Sequence, residues 1–124
     1  MAKVIPIPTT EEKFFKQYIR LLNPLLNLRG KAQDVLAQIM YHDYLYRNLD
    51  EETRVMKVFH KTTTAKMKTS LGMKGPSFHN NLGELREKGM LDKDNSLKHP
   101  LVKNVRPEEK FDLLFSFKVG RRQS

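Results

Sequence analysis

The feature that most restricts this chain is a change of hydrophobic period, from helical to strand-like, after residue 91. Ala32, Val35, Leu36, Ile39, Met40 and Tyr44 recur at i, i+3 and i+4 spacing, which predicts a helix over Gly30 to Tyr46 with one buried face. Phe111, Leu113, Phe115, Phe117 and Val119 instead alternate with Asp112, Leu114, Ser116 and Lys118, which predicts a half-buried strand. A strand needs a partner. The best candidate is Ser96 to Val105, an edge strand because Pro100 cannot donate to a ladder, with Arg106 to Glu109 as the connecting turn.

Four further helices fall between and before these segments. Thr9 and Glu12 have capping-box spacing, so a first helix is expected from Thr10 to Leu22, with Phe14, Tyr18, Leu21, Leu22 and Leu25 as its apolar residues and Pro24 as its stop. Asp50 should cap a short helix whose first turn carries Glu51 and Glu52 and which brings Val55, Val58 and Phe59 inward. A polar helix follows from Thr62 to Leu71, stopped by Gly72. The last runs from Pro76 to Lys88, with Phe78, Leu82 and Leu85 as its stripe, Pro76 in the first turn and Gly89 as a left-handed cap.

The chain has 124 residues, enough for one modest core, and no internal repeat or low-complexity linker. It divides into an extended N-terminal arm (1–8), one domain (9–119) and a basic tail (120–124). It has no cysteine, which excludes a disulfide framework and a thiolate metal site, and a reducing cytoplasm suits it. No apolar run is long enough for a bilayer, and the first residues lack the apolar stretch of a secretory signal. The net charge is +9 and is unevenly placed: residues 1–60 carry nine basic and seven acidic side chains, residues 61–124 fourteen and seven. A positive field of this kind draws polyanions and lets counterion release drive binding.

The segment Met67 to Leu82 has the pattern of a helix-turn-helix, with Leu71 before the turn glycine, Met73 after it, and Phe78 and Leu82 on the inner face of the second helix. The run Glu84 to Leu91, with its Leu85 and Lys88, Gly89, Met90, resembles the end of a recognition helix leading into a wing. From Gly30 to Val119 the chain resembles winged helix-turn-helix proteins, of the short type encoded by tailed bacteriophages. The fold class this implies is mainly α with a small β wing. The function it implies is duplex-DNA binding, in many members as a homodimer, with the second helix in the major groove. Lys68 and Asn81 depart from the family pattern, standing where a small and an aliphatic residue are usual.

On that resemblance Ser77, His79, Asn80, Asn81 and Gly83 would face the bases, the short polar side chains hydrogen-bonding base edges and the glycine permitting close approach. Thr62, Thr63, Thr64, Lys66, Lys68 and Lys74 would contact phosphates, and Lys98, Lys103 and Arg106 would reach an adjacent groove from the wing. The roles this suits are a transcriptional regulator or a replication accessory factor in a host cytoplasm. The alternative is a virion or assembly component that uses the same fold as a protein–protein module toward phage structural proteins, lacing subunits through the arm and tail. RNA binding shares the charge argument but lacks the glycine and aromatic signatures of common RNA modules.

Catalysis, metals and cofactors are not expected. His42, His60, His79 and His99 have no metal-ligand spacing, and no nucleophile elbow or phosphate-binding glycine loop is present. Asp92 to Ser96 lacks the glycine of a calcium loop and reads as a turn. Phe111, Phe115 and Phe117 suggest a base-stacking platform less than they suggest core, because of their alternation with polar residues.

Overall fold

The computed structural model describes residues 3–108 and 110–120. It holds five helices, α1 (Glu11–Leu26), α2 (Gly30–Leu45), α3 (Glu51–Val58), α4 (Lys61–Leu71) and α5 (Gly75–Glu87). The expected helices are all present, with shifted ends. Thr10, not Thr9, caps α1, its hydroxyl accepting from the Lys13 N–H at 3.3 Å. Pro24 lies inside α1, whose stop is Asn27 in the left-handed region (φ 56°). A proline in the last turn forfeits only one backbone bond, and Asn23 compensates: its side chain accepts from the Leu28 N–H (2.8 Å) and donates to the Leu28 carbonyl (3.1 Å).

All four other helices pack on α2. It is therefore buried on more than the single expected face: Ala32, Val35, Leu36, Ala37, Ile39, Met40 and Tyr44 are all in the core, together with Gln33 and Asp43. On α1 the inward residues are Phe15, Tyr18, Ile19, Leu22 and Leu26, whereas Leu21 and Leu25 stay exposed. The sequence carries two adjacent apolar stripes on this helix, and the expected set mixes them: Tyr18 and Leu22 are buried, Leu21 and Leu25 are not. Val58 from α3, Met67 from α4 and Phe78, Leu82 and Leu85 from α5 complete the core, closed by Met90, Leu91, Val102 and Val105.

The expected β wing is absent: among the described residues there is no strand or sheet, and one antiparallel bridge, Leu91 to Leu97, stands in its place. The physical reason lies in the intended partner. Residues 99–104 form a tight turn in which the Val102 and Lys103 N–H groups both donate to the His99 carbonyl and the Leu101 N–H donates to His99 Nδ1. Tyr18 donates to the Leu101 carbonyl (2.6 Å), Val102 is fully buried and Asn104 is left-handed. That backbone is already engaged, so residues 110–120 form no ladder among the described residues. The alternating phenylalanines are accordingly not core, with Phe111 36% and Phe117 87% exposed. Met1, Ala2 and the tail residues 121–124 lie outside the described residues, as does Glu109 of the expected turn.

One ion cluster joins distant parts of the chain. The buried Asp43 of α2 accepts from Arg54 Nε of α3 and from Arg106 Nη1, both at 2.9 Å. One carboxylate thus compensates two largely buried guanidinium groups and fastens the end of the folded body to α2. Replacing it strands both cations, which typically costs about 3–5 kcal/mol. Asp43→Asn should lower unfolding free energy by roughly that amount in a denaturant titration, far more than Asp34→Asn at the half-exposed Arg20 pair, where about 0–1 kcal/mol is expected.

Candidate nucleic-acid interface

α4 and α5 are joined by Gly72, Met73 and Lys74. Gly72 has φ +61°, its N–H donates to the Thr69 carbonyl, and the Met73 N–H reaches back to the Lys68 carbonyl at 2.9 Å. This is the Schellman closure of a helix, and it needs the left-handed residue that glycine supplies without strain. Met67 on α4 and Phe78, Leu82 and Leu85 on α5 turn into the core, which fixes the opposite faces of both helices toward solvent.

The outward face of α4 carries Lys61, Thr62, Ala65, Lys66, Thr69 and Ser70 around one shallow, open depression. On α5, His79 and Asn80 are exposed, and Gly83 has no heavy atom within 4 Å of where a Cβ would stand. The surface there is flat as well as polar. Lys74 is exposed at the N-cap of α5.

Charge along the chain here is of one sign up to Glu84, and the exposed Glu87 follows at the end of α5, one turn beyond Gly83. Between Glu52 and Glu84 the chain has no acidic residue and six basic ones, Arg54, Lys57, Lys61, Lys66, Lys68 and Lys74. Arg54 is committed to Asp43, and the five lysines form no ion pair among the described residues. Glu84 is drawn away from the exposed face: it accepts from the Arg29 backbone N–H (3.1 Å) at the start of α2 and faces the Arg29 guanidinium at 3.6 Å. This acid-free stretch is a feature of the sequence alone, and it straddles residue 60, so the charges of the two halves of the chain dilute it.

The expected contact residues do not all meet on this surface. Thr62, Lys66, Lys74, His79 and Asn80 are exposed there; Ser77, Lys68 and Gly83 are half-covered. Thr63 is buried and donates to the Lys57 carbonyl (2.8 Å), and Thr64 bonds back to the His60 and Lys61 carbonyls. Asn81 donates to the Ser77 carbonyl (2.8 Å) within its own helix. Lys98 and Lys103 are exposed on the segment after α5, while Arg106 serves the Asp43 cluster. Asp92 accepts from the Asp94 and Ser96 N–H groups, making the turn that its sequence suggests.

Comparison with protein families, with characterised proteins and with solved structures gave no match. The resemblance to winged-helix proteins thus finds no support from known proteins, and the wing it implied is absent among the described residues. No helix among the described residues is long and apolar enough to cross a membrane.

His42 on α2 has its pKa lowered from the ordinary 6.5, first by burial and then by the positive charge of Lys66. The depressed value means that the unfolded chain binds the proton more readily, so stability is full above 6.5 and falls as pH drops toward the folded-state pKa. His42→Gln should flatten the acid side of a stability–pH profile measured by thermal melting.

Proposed function

We propose that this protein binds duplex DNA through α4 and α5, with α5 entering the major groove. The observation that carries this reading is the stretch between Glu52 and Glu84, which has no acidic residue, whose five lysines form no ion pair among the described residues, and which holds the exposed His79 and Asn80 and the open Gly83 of α5. Lysines at positions 61, 66, 68 and 74 suit phosphate contacts, which fix register and supply affinity without sequence information. His79 and Asn80 have the donor and acceptor groups that read base edges, asparagine pairing well with adenine. Gly83 lets the helix approach bases or backbone closely. A regulator of transcription or an accessory factor in replication would use such a surface. A second reading, a subunit of a larger protein assembly, is favoured by the arm, where Val4 and Ile5 are about four-fifths exposed.

Fluorescence-anisotropy titrations with duplex, single-stranded DNA and RNA at several salt concentrations separate these readings. Duplex binding should be steeply salt-dependent, and Lys66→Ala or Lys74→Ala should weaken all sequences alike while reducing the log–log salt slope by about 1 each. Asn80→Ala should cost about 1–3 kcal/mol on a selected site only. Absence of duplex binding at low salt overturns the proposal.

Gly83 gives a test in which stability and binding move in opposite directions. With open space at its Cβ and helical backbone, Gly83→Ala should stabilise the fold by about 0.5–1 kcal/mol. The same methyl group should weaken duplex binding, by anisotropy, if the helix approaches DNA at this point.

A further inference from the structure

Residues 110–120 combine a strand's side-chain pattern with no strand partner among the described residues. Their apolar face is covered only at its beginning. Phe111 sits edge-on against Phe14 and Tyr18 of α1, with ring centroids 5.1 and 5.7 Å apart. Leu113 and Phe115 are 38% and 45% exposed, and Phe117 and Val119 stand almost fully in water at 87% and 90%. Five alternating apolar residues, of which the last two are almost wholly exposed, describe an interface with half its contents missing.

We infer that this segment pairs antiparallel with the same segment of a second copy, forming a two-stranded ribbon with its two-fold axis at Phe115. The register follows from the residues. Centred there, Asp112 lies directly opposite Lys118 of the second copy, twice by symmetry, while Phe111 faces Val119, Leu113 faces Phe117 and Phe115 faces itself. Every apolar residue of the alternation then lies on one face and the charged pairs on the other. Moving the axis to Leu114 sets Lys110 against Lys118, and moving it to Ser116 leaves Asp112 facing Gly120 and Lys118 facing Leu114. An axis between residues sets the phenylalanine face against the opposite face, apolar against polar at every pair but the one that includes Leu114. The exposed Lys110–Asp112 contact within one chain (3.5 Å) is no obstacle, since a pair so open to water is worth little.

The same register explains the uneven exposure. Val119 and Phe117, uncovered in one copy, land beside Phe111 and Leu113 of the other, of which Phe111 is already seated against α1 and Leu113 is partly covered. An isolated ribbon is marginal, but this one has a floor: the Phe14 and Tyr18 rings, continued along α1 by the exposed Leu21 and Leu25. The occupant fits because the segment's charges and its apolar order are complementary to themselves.

Sedimentation velocity over a concentration series on the full chain tests this. The wild type should show a reversible monomer–dimer equilibrium. Phe115→Asp, which sets two carboxylates together on the axis, should give monomer with unchanged helical circular dichroism. Asp112→Lys and Lys118→Asp should each raise the dissociation constant about tenfold by placing like charges opposite, and the double swap should restore it. A wild type that stays monomeric at its highest soluble concentration overturns the proposal and leaves the segment to a different partner. So does a dimer indifferent to Phe115→Asp. Single swaps that weaken the dimer without rescue by the double swap overturn the register.

Discussion

The fold depends on the burial of α2. A helix that receives neighbours on most of its surface cannot keep one polar side in water, so its polar residues must be compensated inside. Gln33 does so by donating to the Leu28 carbonyl (3.0 Å), and Asp43 by holding Arg54 and Arg106. No buried side-chain nitrogen or oxygen lacks a partner among the described residues. The Asp43 cluster also ties the chain after α5 to the body: Arg106, 63 residues away in sequence, is held on α2 by the carboxylate oxygen that Arg54 leaves free.

That return decides what the C-terminal segment can do. The backbone that would have paired with it, residues 96–105, spends its hydrogen bonds on a turn and on Tyr18 and sends Val102 into the core. A hairpin wing and this turn are competing uses of one stretch of chain, and burying Val102 and Val105 beside α1 and α2 favours the turn. The displaced strand pattern keeps its alternation and offers it outward. The basic surface of α4 and α5 is separate from this, arising where the core residues of both helices are sparse and small in number.

The helices were legible because their signals are local. Asp50, Gly72 and Gly89 mark ends through their own backbone or side-chain chemistry, and Phe78, Leu82 and Leu85 lie at a spacing that only one helix face accommodates. Where local signals were ambiguous the expectation slipped. On α1, Phe14, Tyr18, Leu21 and Leu25 form as good a stripe as Phe15, Ile19, Leu22 and Leu26, and Tyr18 belongs to both. Among the site residues, composition could mark Lys66, Lys74 and Asn80 as polar and exposed, but could not foresee that Thr63 would turn inward or that Arg106 would be taken by a carboxylate far along the chain.

By itself, then, the sequence determined five helices, their approximate ends, the tight glycine turn between α4 and α5 and the charge of the surface they present. These follow from spacing, capping and composition within a few residues of one another. Only the tertiary structure decided which flank of α1 is inside, which basic residues remain free, and that the alternating segment 111–119 finds no strand beside it within its own chain among the described residues. Each of those is a competition between distant groups for one partner, and such competitions are settled by packing and desolvation, which no local pattern records.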